Sequence, residues 1–196
     1  MTKLIFIPLA VFLVAFTIAN TQAAPKNYVI DSNHTYPSFE ADHLGGFSVW
    51  RGKFNKTIGK ITLDREAKTG HVEAVIDIGS IDFGNDNLNK HALAPDLFDV
   101  QKFPQAVYRG TFSKFNGDTP TEIRGELTLR DVTKPLTLTI KRFKCLDSHP
   151  MRKKEVCGAD AYTELNRGDF GVSYGLIEGH LPEVRLMIQV EAIKEE

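Results

Sequence analysis

The C-terminal stretch Val184-Arg-Leu-Met-Ile-Gln-Val-Glu-Ala192 places an apolar side chain at every second position, with mostly polar residues between them. Residues 136–140 and 72–78 repeat this spacing. Because successive side chains of a β-strand point to opposite faces, a period of two residues is typical of strands that bury one face. The three stretches therefore predict a sheet with one apolar face and one polar face.

Outward from these stretches, the chain contains further short strand-like segments separated by turn residues. We predict about ten strands in all. The others cover residues 27–31, 38–43, 48–55, 59–64, 105–115, 121–130 and 159–166. Turns are predicted at Asn116-Gly117-Asp118, at Lys68-Thr69-Gly70 and at Lys134-Pro135.

Strands this numerous and evenly spaced indicate a sandwich or a barrel, and the short connections favour an up-and-down meander. One segment differs: residues 87–98 have helical character, with Asn85 or Asp86 as the cap and an end near Pro95. The pattern favours a barrel over a sandwich, and a closed barrel of about eight strands has an interior just large enough for one small ligand.

The N-terminus has the features of an export signal. Lys3 precedes an apolar run over residues 4–19, and small residues, Thr21 and Ala23 among them, follow it. This order is typical of a secretory signal peptide. The run is shorter than the ~20 residues that a transmembrane helix needs, although an uncleaved anchor is the alternative. We predict a signal peptide at residues 1–23, cleaved near Ala23, and one domain at residues 24–196 without a membrane span.

Composition and charge exclude some classes of protein. Of the 196 residues, 42% are apolar and 25% are charged, as in an ordinary globular domain. The formal net charge is −1, and no basic stripe with interleaved aromatic residues is present. We therefore expect no nucleic-acid partner.

The two cysteines, Cys145 and Cys157, are consistent with export. In an oxidising compartment a pair this close in sequence predicts a local disulfide. The alternative is a metal site with His149 as a third ligand, although the spacing does not resemble that of a closed zinc site.

Sequence motifs for catalysis are absent. The chain has no glycine-rich phosphate loop, no Gly-x-Ser-x-Gly elbow and no His-Glu-x-x-His helix. No two histidines have the close spacing of metal ligands, so we predict no metal site, with a three-histidine site as the alternative. Glu40 and Asp42 share a strand face, where solvated charge is the simpler interpretation. We predict no catalytic residues and a binding protein rather than an enzyme.

Two histidines lie where they could meet a ligand. His43 shares a strand face with Phe39 and Ala41, so it points inward, either as a hydrogen-bonded core histidine or as a polar contact to a ligand head. His91 lies beside Asn87 in the helical segment, which could place both at the mouth of a cavity.

Several motifs follow one another along residues 28–193. They are Ile30-Asp31 with His34-Thr35, His43-Leu44-Gly45 with Phe47-Ser48 and Gly52-Lys53-Phe54, Ile76-Asp77 with Ser80-Ile81-Asp82, His91 with Asp96-Leu97-Phe98-Asp99-Val100 and Phe103-Pro104, Gly125-Glu126-Leu127-Thr128-Leu129 with Val132-Thr133-Lys134-Pro135, and Asn166-Arg167-Gly168-Asp169-Phe170-Gly171. In this order they resemble the YceI-like family of exported, polyisoprenoid-binding proteins.

The resemblance implies an all-β, antiparallel, lipocalin-like barrel of about eight main strands with one short helix. Its long tunnel would hold an isoprenoid chain of polyprenyl or quinone type, bound non-covalently and without another cofactor. It also implies that the protein is located in the periplasm or outside the cell. A homodimer is compatible with the sequence, as is a monomer. We expect His43, Asn87 and His91 at the polar end of the tunnel. The expected apolar lining consists of Phe39, Phe54, Ile76, Ile78, Phe98, Phe103, Tyr108, Phe112, Leu127 and Leu138.

The chain departs from the family pattern at three places. The residues flanking His91 lack the charges that the family often has there, which disfavours a strongly acidic ligand head. They are Leu88, Asn89, Ala92 and Leu93. Gly45-Gly46 carries one extra residue, which suggests a β-bulge. The segment between the two cysteines is an addition that either stiffens a hairpin or forms a partner surface.

Three hypotheses follow for the function. The first is a protein that binds and shields or carries an isoprenoid lipid. The second is an accessory that acts on a bound quinone, and the third is a stress or adhesion protein whose barrel is a filled scaffold. The presence of a cavity separates the first hypothesis from the third.

Overall fold

The computed structural model describes residues 24–196, and the predicted signal peptide at residues 1–23 lies outside them. The described chain forms one antiparallel sheet of eleven strands and one α-helix. The strands are β1 (Lys26–Ile30), β2 (Tyr36–His43), β3 (Ser48–Phe54), β4 (Thr57–Asp64), β5 (Thr69–Asp77), β6 (Ile81–Asp82), β7 (Gln105–Asn116), β8 (Thr119–Leu129), β9 (Val132–Leu146), β10 (Val156–Asn166) and β11 (Glu183–Lys194). The helix is α1 (Asp86–Ala92).

Strand β1 closes the sheet into a barrel. It pairs with β4 on one side and with β11 on the other, so the strand order returns to its start. The closed ring contains the eight strands β1, β4, β5 and β7 to β11. This confirms the predicted antiparallel barrel, and closure leaves the ring without an unpaired edge strand.

Strand β11 divides its pairing between two strands. Its C-terminal part pairs with β1, including Tyr28 opposite Lys194, whereas its N-terminal part pairs with β2, including Ala41 opposite Val184. The predicted simple meander is therefore wrong for the first strands, because β2 lies beside β11 and not beside β1. The hairpin of β2 and β3 extends the sheet at the end of the barrel where β11 begins.

The alternating sequence of β9 shows how the wall is built. Leu136, Leu138 and Ile140 are buried on the inside, whereas Thr137 and Thr139 are exposed on the outside. The same alternation on the neighbouring strands directs one apolar row after another into the barrel.

Two glycines let the ring of Tyr108 lie against the inner wall. Gly110 and Gly125 face each other across β7 and β8, and a Cβ atom on Gly125 would lie 2.8 Å from Cζ of Tyr108. The Tyr108 hydroxyl continues across the sheet and donates a hydrogen bond to the Leu136 carbonyl oxygen at 3.1 Å. Gly125 therefore has a packing role, because a larger residue would displace this ring.

The helix is shorter than predicted. Asn85 caps α1 by accepting a hydrogen bond from the Leu88 amide, but the helix ends at Ala92 instead of continuing to residue 98. Pro95 has no N–H group and disfavours helical geometry at the residue before it, so the chain turns there. No helix in the described part of the chain has the length and apolar character needed to cross a membrane.

One predicted turn and the predicted β-bulge also differ from the structure. Lys134 and Pro135 lie inside β9, and the chain reverses earlier, at Arg130 and Asp131, which both have positive φ. Gly45-Gly46 does not form a bulge within a strand. The two glycines belong to the hairpin loop at residues 44–47, where their positive φ values make the reversal possible.

Candidate ligand-binding cavity

The inside of the barrel is hollow. A cavity of about 680 Å³ lies within it, which falls in the range of about 300–1,000 Å³ that small-molecule sites occupy. Inward aliphatic and aromatic side chains from every strand of the ring form its wall. The barrel therefore encloses one apolar volume rather than a filled core.

Most of the residues predicted for the lining do border this cavity. They are Phe39, His43, Phe54, Ile76, Ile78, His91, Phe98, Tyr108, Phe112, Leu127 and Leu138. Their contact with a ligand stays a prediction.

Phe103 and Asn87 lie elsewhere. Phe103 is buried outside the cavity, with the Arg130 guanidinium 5.4 Å from its ring centroid, because the irregular segment before β7 does not continue the strand alternation. Asn87 is exposed on α1. The helix instead turns Leu88, His91 and Ala92 toward the cavity, at the i, i+3 and i+4 positions of one face.

Aromatic rings line the cavity wall on β2, on β3 and in the segments before and after α1. The ring of Phe39 lies 5.8 Å from that of Phe54 and 5.3 Å from that of Phe83, between centroids. Phe98 meets Phe54 edge-on at 6.1 Å. Edge-to-face pairs of this kind add stability beyond the area that they bury.

One end of the barrel, which we call the closed end, is shut by polar groups that satisfy one another. The buried carboxylate of Glu155 accepts hydrogen bonds from the Tyr28 hydroxyl at 2.9 Å and from the Lys26 ammonium at 2.8 Å. Burial alone would raise the pKa of Glu155, but these bonds outweigh it and hold the pKa below its ordinary value. Burial and the same bond raise the pKa of Tyr28, so its proton stays in place.

Three hairpins complete the closed end. Arg65 in the turn after β4 pairs with Asp118 in the turn after β7, and its guanidinium lies 5.6 Å from the ring centroid of Phe143. Cys145 and Cys157 are directly opposite each other on β9 and β10 and form a disulfide with an S–S distance of 2.02 Å. Cys157 borders the cavity, so this covalent link is part of its floor.

The other end, which we call the mouth, is formed by α1 and by two loops at residues 44–47 and 171–182. The cavity reaches the surface there, since Leu44 and Tyr174 both border it and are exposed.

Aromatic and imidazole rings stand in a row at the mouth. His43 lies 4.7 Å from Trp50 and 5.4 Å from His180, between ring centroids, and Trp50 lies 6.2 Å from Phe83. The row connects the surface to the phenylalanines deeper in the cavity. His91 on α1 also packs edge-on against Tyr174, with 4.7 Å between the ring centroids. These rings offer stacking faces together with imidazole nitrogens that can donate or accept hydrogen bonds.

Asp42 ties the two mouth loops together. Its carboxylate accepts hydrogen bonds from the amides of Gly45 and Gly46 in one loop, and from the amide of Leu181 in the other at 2.9 Å. The bond from Leu181, followed by those from the two glycines, holds the pKa of Asp42 below its ordinary value.

Arg167 stabilises the longer mouth loop through hydrogen bonds to its backbone. Its Nη1 donates to the carbonyl oxygens of Val172 at 2.9 Å and Tyr174 at 2.8 Å, and its side chain borders the cavity. Burial lowers the pKa of Arg167. Nη1 of Arg167 therefore shapes the loop, which gives the Asn166-Arg167-Gly168 motif a structural explanation.

Polar partners hold both imidazoles that border the cavity on β2 and α1, and His91 Nε2 lies 3.3 Å from a carboxylate oxygen of Asp96. His43 Nδ1 lies 3.2 Å from the Ser48 hydroxyl, but within the described residues no carboxylate hydrogen-bonds its other ring nitrogen, as the orienting group of a catalytic triad would. Three potential metal ligands, Cys145, Glu155 and Cys157, meet at the closed end, but both sulfur atoms belong to the disulfide.

Part of the mouth does not follow from the sequence pattern. Trp50, Asp42, Arg167, Tyr174 and His180 were not predicted for the site. Two signals were available: Trp50 would face the cavity if β3 paired with the strand of His43, and Asp42 precedes Gly45-Gly46 at the spacing of a side chain that caps a turn. Tyr174 and His180 lie in an irregular loop, where no periodicity indicates direction.

Residues 28–192 match a family described as the YceI-like domain. A UPF0312 protein of Pseudomonas aeruginosa is 31% identical to this chain over 196 residues, covering 100% of both sequences. The protein YceI of Salmonella heidelberg is 32% identical over 191 residues, covering 93% of this chain and 97% of the relative.

Solved structures share the fold. BcnA of Burkholderia cenocepacia aligns with a TM-score of 0.66 at 20% identity, covering 83% of this chain and 98% of that one. A polyisoprenoid-binding domain from Saccharophagus degradans aligns with a TM-score of 0.60 at 12% identity, covering 86% of this chain and 98% of that one. At these identities the likeness extends to the fold alone.

Proposed function

This chain belongs to the YceI-like family, and from that premise we propose that its barrel binds one long apolar isoprenoid lipid, of polyprenyl or quinone type, and shields or carries it in the periplasm or outside the cell. The tail occupies the cavity and the polar head lies at the mouth. The protein acts by binding, without catalysing a reaction of the lipid.

The observation that carries this proposal is the apolar cavity of about 680 Å³ inside the closed ring. An isoprenoid tail exposed to water costs about 0.8 kcal/mol per methylene group, so such a lipid does not cross an aqueous compartment unaided. A continuous apolar wall removes that cost along the tail. A barrel that served only as a filled scaffold would have no such volume.

The mouth supports a polar but weakly charged head group. His43, Trp50 and His180 provide stacking faces and hydrogen-bonding nitrogens beside the opening. The Asp42 carboxylate already accepts hydrogen bonds from three backbone amides, and Nη1 of Arg167 already donates to two backbone carbonyl oxygens. A quinone ring or a neutral prenyl alcohol suits these groups better than a diphosphate, which would require free cations.

Native mass spectrometry of the exported protein, followed by solvent extraction, tests the proposal. We expect one isoprenoid or quinone molecule for each protein. A protein that is empty when taken from its own membrane-containing source, and that takes up no added quinone, would refute lipid binding.

Adjacent residues of β5 provide a matched pair of variants. Ala74 borders the cavity, whereas Val75 is not part of its lining and belongs to the opposite face of the strand. We expect Ala74→Phe to weaken binding about ten- to a hundredfold, because the phenyl ring and the lipid tail compete for one volume. Val75→Phe should bind as the wild type does. The rise in melting temperature on adding ligand measures both. Equal binding by the two variants would place the ligand outside the barrel.

A further inference from the structure

Exposed apolar side chains gather around the mouth. Phe47 is 81% exposed and Ile177 is 98% exposed, at the tips of the two mouth loops. We define the mouth rim as the exposed apolar residues of these loops and of the adjoining start of β3. It consists of Leu44, Phe47, Val49, Ile177 and Leu181.

The two loops form one surface. The carboxylate of Asp42 binds the amides of both loops, and a Cβ atom on Gly45 would lie only 3.0 Å from the Gly179 carbonyl oxygen. The rim therefore holds its side chains in a fixed arrangement, and little order would be lost when a partner covers them.

The rim carries few free charges. Residues 44–47 include no ionisable side chain, and the longer loop contributes one carboxylate, Glu178, together with His180. Asp42 remains a carboxylate, but three backbone amides take the place of part of its hydration. The closed end differs, because ion pairs such as Lys60 with Glu195 and Lys154 with Glu196 surround it. The other exposed charges of the mouth lie on α1, at Asp86 and Lys90, so moving the two loops out of water costs less than moving the closed end.

We propose that the mouth rim inserts into the interfacial region of a phospholipid bilayer and so places the opening of the cavity directly against the membrane. Phe47 and Ile177 enter the acyl boundary, and Trp50 and Tyr174 lie at the level of the head groups, where such rings are favoured. The lipid then passes between membrane and cavity without crossing water. The purpose of this contact rests on the proposed lipid-binding function.

The size of the rim favours a bilayer over a second copy of this chain. A stable protein interface uses about 20–30 residues on each side, far more than the rim provides. Membrane attachment needs only a few inserted apolar side chains, because its strength grows with the apolar area that enters the bilayer. The apolar wall of the cavity is also continuous with the rim at Leu44, which a protein partner would not require.

Flotation with phosphatidylcholine vesicles tests this proposal, using exported protein whose N-terminus is established by mass spectrometry. We expect the wild type to float with the vesicles. The double variant Phe47→Ser with Ile177→Ser should partition at least about tenfold more weakly, because two apolar side chains no longer enter the bilayer. Met151→Ser is the matched control, since Met151 is 87% exposed but lies in the loop between β9 and β10, away from the mouth. It should float like the wild type.

Two results would overturn the proposal: a wild type that stays with the unbound fraction, or a double variant that floats as well as the wild type does. Sedimentation without vesicles adds a third, because a dimer that forms only with the intact rim, in a protein that ignores vesicles, would assign the rim to a second copy. Lipid extraction from each variant keeps the two proposals apart. A variant that contains lipid but does not float separates docking from binding, whereas an empty protein that still floats refutes only the lipid-binding function.

Discussion

At the closed end of the barrel the carboxylate of Glu155 is buried and bound by two side chains, Lys26 and Tyr28. At the mouth the carboxylate of Asp42 is bound by the backbone of two surface loops. The bonds of Glu155 link parts of the barrel wall and lie beside a disulfide. The bonds of Asp42 only shape the loops around an opening.

The difference separates stability from recognition. Groups at the closed end are satisfied inside the protein, and their loss affects folding. Groups at the mouth face a space that a ligand or a membrane can fill. We therefore expect changes at the closed end to alter the free energy of unfolding with little effect on binding, and changes at the mouth to do the reverse.

The disulfide provides the largest test of this comparison. Replacing Cys145 and Cys157 together by Ala should lower the free energy of unfolding by about 3 kcal/mol, because the cross-link restricts a loop of about 13 residues in the unfolded chain. Urea unfolding measures the loss, and wild type with its disulfide reduced should show the same value. Lipid content after extraction should not change. A parallel loss of lipid would mean that the two ends are coupled.

Glu155 provides the next test. We expect Glu155→Gln to lower the free energy of unfolding by about 1–3 kcal/mol at neutral pH, because a buried charged acceptor is replaced by a neutral one. The exposed ion pair of Glu73 and Arg109 offers a control, and Glu73→Gln should cost less than about 1 kcal/mol.

The contribution of Glu155 to the free energy of unfolding should decrease in acid. Its pKa in the folded protein lies below the ordinary value of 4.5, so its contribution is fully present above pH 4.5 and is lost as the pH falls through the lower folded pKa. The difference in stability between wild type and Glu155→Gln should therefore shrink in acid. A difference that grows on acidification would contradict the assigned hydrogen bonds.

Asp42 gives the smallest effect, and a local one. Because its folded pKa lies below 3.8, the mouth loops should stay fastened from neutral pH down to about 3.8 and loosen only in stronger acid. The amide resonances of Gly45, Gly46 and Leu181 should shift together in an NMR titration, and Asp42→Asn should remove the shared transition. A common midpoint above 3.8 would show that the carboxylate does not hold these amides.

Alternation of side chains was enough to predict the barrel wall. Leu136, Leu138 and Ile140 face inward as their spacing indicates, because a strand has only two faces. Which strands pair with each other was harder to predict. Nothing in the spacing shows that β11 pairs with both β1 and β2, since that choice depends on how the sheet closes in three dimensions.

The mouth could be predicted only in part. The direction of His43 followed from strand alternation, whereas the helical segment predicted the mouth for both His91 and Asn87, and only His91 borders the cavity. Phe103 and the loop around Tyr174 have irregular backbone, where a residue's position in the sequence does not fix its direction. The recognition surface is thus the least predictable part of the molecule, because loops supply it.

The divided pairing of β11 also governs the order of folding. The last strand of the chain is the partner of β1, β2 and β10 at once, and Tyr28 must find Lys194 across almost the whole described sequence. Contacts this distant make folding slow, because the entropy of closing a long loop is lost before the contact is gained. No closed barrel exists until the C-terminal strand has been synthesised and is free to dock. We therefore expect the chain to remain unfolded longer than one built only from local hairpins. An unfolded polypeptide can still be threaded through a narrow channel.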